Sequence, residues 1–479
     1  MLDHVGIRYA PGSTQTNFSA PWSTAELMGL QVAMPPGEDT MYFVSRTQSP
    51  RELKYDRTTD AWTFGVLSLT ASPWSAGDYP GTITFFQGRM WLGGTPTMPE
   101  NFWGSKSADY ANFTTGSNPD DALSFTMANK GMIQWMEGAR NLLIGTENGE
   151  YICDSDGGTI IPGDIGVNQQ SAYGSAHIQP IRIGNHVIYV SPDRRKVREM
   201  GYKWTDDGWI SRDITYVSEH ITKGNLIQDI VFAQNPDNLL LAVTQKGDLI
   251  GAVYERGNDV VGWFNMQTIG RVTSVCSVDM RGNSMVGMIV NRELATTSMI
   301  FLETLNVYKE QSDAFTVVSH VADPIEITVP HLADQTVNVV VDGAIHPDIE
   351  LDSSGVGTLE FGGSSVVVGL PYTSTMETLP LATTLQIGQS TLPYEKRFNK
   401  IFVRLFESYF PRINGVRPPT RHASTPMDTA EAPVTGDIQV TNLGWSKTAT
   451  ITVTQDLPLA TQVAGIFGEA AQEIIGNPA

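Results

Sequence analysis

Residues 87–113 read QGRMWLGGTPTMPENFWGSKSADYANF, and the fold turns on what this stretch is for. It holds two tryptophans, Trp91 and Trp103, a Gly93–Gly94 pair, Pro96, Pro99, Tyr110 and Phe113, with few charges between them. A substrate cleft concentrates aromatic side chains in this way. So does an all-β scaffold whose tight turns pin large side chains between packed strands.

The flanking sequence favours the scaffold. Short runs recur on both sides: MYFVS (41–45), WTFGVLSL (62–69), TITFFQG (82–88), NLLIGT (141–146), GEYICD (149–154) and HVIYVS (186–191). Each is apolar or alternating and is bounded by Gly, Asn, Asp or Pro, the pattern of strands joined by turns. A polar turn precedes a Trp-led strand in TTDAWTFGV, TDDGWISRD and NDVVGWFNM, although Trp62, Trp209 and Trp263 are not evenly spaced. Hairpins such as NLLIGTENGEYICD and NLLLAVTQKGDLIGAVYE return along the chain. Repeated hairpins predict a β-propeller, which protects its strand edges by radial repetition; a pair of β-sandwiches is the alternative. Trp91, Trp103, Trp209 and Trp263 are then expected in blade cores.

Composition agrees with an all-β chain. Only 17% of the 479 residues are charged, whereas 45 are Gly and 27 are Pro, a balance that suits short strands and tight turns better than long amphipathic helices. The length calls for two or three domains or one large repetitive β architecture. Residues 1–40 read as an N-terminal arm or an opening strand, and 41–310 as the propeller-like domain. From about 310 the sequence becomes β-branched and poor in Trp, which predicts a smaller β domain over 311–385. Residues 386–479 read as C-terminal strands packing back on the main body, with a short helix at IFGEAAQEIIGN (466–477).

The net charge of −20 argues against a protein that grips nucleic acid by neutralising many phosphates, while leaving room for an acidic wall that lets DNA pass. Cys153 and Cys276 are the only cysteines, too far apart in sequence for a Cys-x-x-Cys metal pair. Assembly in a reducing cytoplasm follows. No basic-then-apolar leader opens the chain and no apolar run is long enough to span a bilayer, so stable membrane insertion is not expected.

Catalytic signatures are absent from the sequence. The sequence has no G-x-x-x-x-G-K-[ST] loop, no G-x-S-x-G elbow and no H-E-x-x-H pair. CDSDGGT (153–159) begins like a calcium loop, but Ile165 stands where the closing carboxylate belongs. It is also similar to a sialidase aspartate box without its serine, and an Asp-Gly turn accounts for it more simply. The eight histidines are scattered, and Trp91, Trp103 and Trp135 as sugar-stacking residues are weighed against their use as core. No catalytic residue, metal or cofactor is expected.

One charge feature departs from the acidic background. Between Tyr394 and His422 lie Lys396, Arg397, Lys400, Arg404, Arg412, Arg417 and Arg421, against Glu395 and Glu407. The polar face of the strand IFVRLFESYF explains Arg404. The others are candidates for an interface with an acidic neighbouring subunit or for a channel lining.

GRMWLGGTPTMPENFWGSKSADYANF resembles a motif of the tail nozzle proteins of short-tailed bacteriophages, the tail tubular protein B family. NLLIGTENGEYIC, the block QQSAYGSAHIQP to TYVSEHI, NLLLAVTQKGDLIGAVYERGNDVVGWFNM, VVVGLPYTSTMETLPL and TGDIQVTNLGWSKTATITVTQDLPLATQVAGI resemble later segments of that family, in the same order. The hexameric DNA-stabilisation hub of other podophages is similar in role and size. The resemblance implies a virion tail protein assembled in the host cytoplasm as a homo-hexamer below an adaptor ring. By the same resemblance, the hexamer closes the exit channel for genomic double-stranded DNA and carries fibre or needle proteins. The resemblance transfers no catalytic residues. The alternative is a tail-associated β-propeller that degrades or binds polysaccharide.

Overall fold

The computed structural model describes residues 18–472 apart from 129, 281, 295–296, 306–311, 320–324, 383, 386–388, 391–393, 420–429 and 442–443. Five four-stranded sheets follow one another along the chain, each pairing its strands in chain order. The first comprises Gln31–Ala33, Thr40–Val44, Arg51–Asp56 and Ala61–Val66. The second comprises Thr82–Phe86, Arg89–Gly93, Asn101–Gly104 and Leu123–Thr126, and the third Ile133–Gly138, Leu142–Thr146, Glu150–Asp154 and Gly166–Ser171. The fourth runs through Ile181–Ile183, His186–Val190, Val197–Lys203 and Gly208–Asp213, and the fifth through Ile227–Ala233, Leu239–Thr244, Leu249–Glu255 and Val260–Met266. All are antiparallel meanders.

Strand geometry shows how these sheets pack. Successive side chains on a strand point to opposite faces. In Arg89–Gly93, Met90 and Leu92 join Tyr42, Val44 and Ile83 in the core shared with the first sheet, while Trp91 points the other way, into a core with Leu142 and Ile144 of the third. The same division recurs one sheet on. Leu143 packs with Val187 and Tyr189 of the fourth sheet, and there Ile188 and Val190 turn to Leu240 and Ala252 of the fifth. Each inner sheet is therefore covered on both faces by its neighbours in sequence, as propeller blades are. A sandwich buries one face of each sheet instead. This double burial is why the central strands read as continuous apolar runs.

The quoted stretch occupies the second blade. Trp74 stacks edge-on against both Trp103 and Phe113, with ring centroids 5.2 and 5.0 Å apart, and the Trp91 indole donates to the Phe86 carbonyl at 3.0 Å. Gly94 is left-handed at φ 66°, and a Cβ there would lie 2.8 Å from the Ile133 carbonyl. The turn therefore requires glycine. Arg89, nearly fully buried, donates to the carbonyls of Ser105, Pro119 and Asp121 and ties the long connection to the blade.

Two expectations are revised, and the choice between an arm and an opening strand is settled. Within the described part of 1–40, Ser23 and Glu26 cap a single helical turn at Thr24–Leu27. Gln31–Ala33 then pairs with Tyr42–Val44 as the first strand of the first blade, so this segment is not a free arm. The chain divides into two compact units between Val290 and Asn291, ahead of the expected 310. The reason is that Leu294 and Phe301 already belong to the core around Val337, Val339, Val366 and Val368, and Arg292 pairs with Asp313. Val463–Gln472 is a strand paired along Lys396–Ser408, so 466–472 are not helical. Cross-strand pairing outweighs the helix propensity of EAAQ. Residues 473–477 of that expected helix lie outside the described residues.

In the second unit, Asp313–Ser319, Ser365–Leu370, Thr336–Val341 and Ala344–Glu350 form one sheet. Lys396–Ser408 is the centre of another, flanked by Val434–Thr441 and Val463–Gln472. Its inward residues Ile401, Val403 and Leu405 pack on Ile413, Ile451 and Val453, which belong to or adjoin a third sheet built from Ser374–Glu377, Thr452–Gln455 and Arg412–Ile413.

Candidate functional site

The basic run does not assemble into one patch. Lys396 is buried at the start of its strand. The Arg397 guanidinium sits over the Trp445 ring, 4.9 Å from its centroid. Arg404 makes a two-point pair with Asp437, at 2.7 and 2.9 Å. Arg412 and Arg417 both bind Asp456, the former at 2.8 Å. Arg421 lies outside the described residues. Lys400 is exposed with neither an ion-pair nor a ring partner among the described residues. Acids distant in sequence, Asp437 and Asp456, thus pair with three of the seven cations that the local charge count presents together.

The tryptophans divide similarly. Trp91, Trp103 and Trp209 are at most 5% exposed. Trp263 is half-buried at the margin of the core between the fourth and fifth blades, its indole donating to the Ile214 carbonyl at 2.8 Å. Trp135 is fully buried beneath Gly145, where a Cβ would lie 2.1 Å from the indole. None of the three tryptophans weighed for sugar stacking is free to stack on a ligand.

A polar cluster that sequence reasoning missed joins the first blade to the third. Gln31 donates to the Gln134 carbonyl at 2.8 Å, and Arg46 donates to the Ile133 carbonyl at 3.1 Å and to the Gln134 side chain at 3.2 Å. The His177 ring lies between the carbonyls of Gln134 and Gly29, at 2.8 and 3.1 Å. Gln179 brackets Val32, accepting from its N–H and donating to its carbonyl. Burial and then the Arg46 charge lower the His177 pKa to about 4, so the ring is neutral near pH 7. The available sequence signal was the polar segment SAHIQP amid apolar strands. Its partners lie 43 residues away at Gln134 and nearly 150 away at Gly29 and Val32, separations that no local pattern encodes.

CDSDGGT ends a strand and makes a turn, with the Gly158 N–H donating to the Ser155 carbonyl at 3.0 Å. Among the described residues no three His, Cys, Asp or Glu side chains form a group suited to a metal ion. Burial pushes the Cys153 thiol up to about 12, which keeps it protonated and unreactive. No helix among the described residues is long and apolar enough to cross a membrane.

These features define an all-β protein with a propeller-like unit of double-buried four-stranded blades followed by a second β unit. No family model matches the chain. No curated protein matches it either. Similar solved structures include a luciferin-regenerating enzyme, at 11% identity and a TM-score of 0.32 over 58% of this chain and 91% of that one. Another is the Cps50 (Swd1) beta-propeller domain of Myceliophteria thermophila, at 7% identity and a TM-score of 0.34 over 69% and 93%. Similarity at this level assigns no activity and no partner. The architecture stands on the sheet topology.

Proposed function

We propose that the chain is a structural subunit of the tail nozzle ring of a short-tailed bacteriophage, a homo-hexamer that forms and closes the DNA exit channel. Adaptor-ring and fibre or needle proteins are its partners in this reading. The supporting observation is where the family-like segments fall. GRMWLGG to DYANF occupies the second blade, NLLIGTENGEYIC the third, the block through TDDGWISRD the fourth and NLLLAV to VGWFNM the fifth. Four of the six family-like segments therefore lie on the blade scaffold, and the last two, from VVVGLPY and from TGDIQV onward, lie in the second unit. Charge points the same way, because every retained phosphate contact slows the passage of DNA, and here the chain carries a net charge of −20 while Arg404, Arg412 and Arg417 pair with internal carboxylates.

The mass of the purified protein in solution, with negative-stain images of the same sample, tests the reading. A ring with a central hole and about six copies, the number that the resemblance supplies, is expected. A monomer that cleaves host surface polysaccharide overturns it.

A further inference from the structure

A cleft of about 400 Å³ opens in the second unit, lined by Phe398, Asn414, Gly444, Trp445, Ser446, Ala449 and Thr450. That volume lies at the lower end of the range for small-molecule sites. Trp445 is 46% exposed, in contrast to the buried Trp91, Trp103 and Trp135. The Arg397 guanidinium lies over the ring at 4.9 Å, which helps to fix the indole. The wall is anchored by the reciprocal backbone bonds of Lys396 and Ser446, at 2.9 and 2.8 Å.

Asn414 supplies an oriented donor. It occupies the first position of a two-residue Asn-Gly turn between Ile413 and Val416, with φ 47° at Asn414 and 81° at Gly415, the left-handed pair that a type I′ hairpin requires. Its side-chain oxygen accepts from the Thr452 N–H at 2.7 Å. That bond holds the amide in one orientation and leaves its NH₂ group without a partner among the described residues. The Thr450 hydroxyl likewise has no partner among the described residues, and none of the described residues that line the cleft is a carboxylate or an ammonium.

We infer that this cleft binds a neutral pyranose, one sugar unit of an oligosaccharide, with its C–H face against Trp445 and its hydroxyls on the Asn414 amide and the Thr450 hydroxyl. An exposed indole beside neutral, fixed hydrogen-bonding groups matches a ligand that is apolar on its faces and polar at its rim. None of the described residues that line the cleft is a cation, which a phosphate-bearing or carboxylate-bearing ligand would call for. This inference is independent of the ring reading and holds whether or not the ring forms.

The test uses the full chain labelled with 5-fluorotryptophan, with the Trp445 ¹⁹F resonance assigned through Trp445→Phe. Maltotriose, chitotriose, galactotriose and mannotriose are each titrated to millimolar concentration. At least one should shift the Trp445 resonance saturably while the buried tryptophans stay fixed. Asn414→Asp keeps the turn and the acceptor for Thr452 but removes the donor, so it should weaken that binding about tenfold. Unchanged thermal unfolding of the variant confirms that folding is intact. A Trp445 resonance that none of the four moves overturns the inference, as does equal affinity in Asn414→Asp.

Discussion

Trp103 shows how much of a blade rests on one side chain. It lies 4% exposed between the first two blades with Trp74 edge-on against it, and truncation to alanine leaves a cavity that the surrounding strands cannot close. Trp103→Ala should cost about 3–5 kcal/mol, read as a lowered urea midpoint of the propeller unit. A variant with unchanged midpoint would show that the ring does not carry the blade contact. The position was legible in the sequence because an aromatic strand followed by a Gly, Pro and Trp-Gly turn has few other uses. The fates of Arg412 and Arg417 were not legible. Their partner Asp456 sits beyond the intervening segment, and a charge count along the chain registers cations without their distant anions. Trp445 was hidden for a related reason, since its exposure depends on which strand pairs behind it.

Among the elements, blades were the easiest to read and the last strand the hardest. A meander pairs neighbours in sequence, so its signal is local. Val463–Gln472 pairs instead with Lys396–Ser408, a distant partner, and its own composition favours helix. Gly468 separates the two conformations experimentally. In the strand a Cβ at this position would stand 2.3 Å from the Lys400 carbonyl and 3.1 Å from the Ile401 Cα, backbone atoms that cannot move aside singly. Gly468→Ala should therefore destabilise the second unit by about 1–3 kcal/mol, by analogy with other overpacking changes. In a helix the same change would stabilise by up to about 1 kcal/mol. Differential scanning calorimetry of the two proteins reads the sign directly, and a raised transition would contradict the strand.

For the propeller unit taken together, stability is tied to protons that the blades have buried. Burial raises Glu137 from its ordinary 4.5 to about 7, against the pull of the Arg182 charge. Burial raises Asp229 from 3.8 to about 6, against hydrogen bonds from the Val275 and Ile230 N–H groups and from Ser274. His177 moves the other way, from 6.5 to about 4. The two carboxyls bind protons more tightly when folded, so their contribution is whole below their ordinary values and is lost as pH rises through 6 and 7. His177 binds its proton less tightly when folded, so its contribution is whole above about 6.5 and is lost as pH falls towards 4. The carboxyl and imidazole slopes oppose each other between these limits. Of these three groups, only the half-buried carboxylates carry a cost above pH 7. Glu137→Gln removes one of these costs while keeping the shape of the side chain. At pH 8 the variant should be more stable than the parent by about 2 kcal/mol, and the difference should close as pH falls to about 4.5, where both side chains are neutral when folded. Urea midpoints of the propeller unit measured across that range decide the matter. Parallel curves for the two proteins would mean that Glu137 ionises freely in the fold and that the third blade does not bury it.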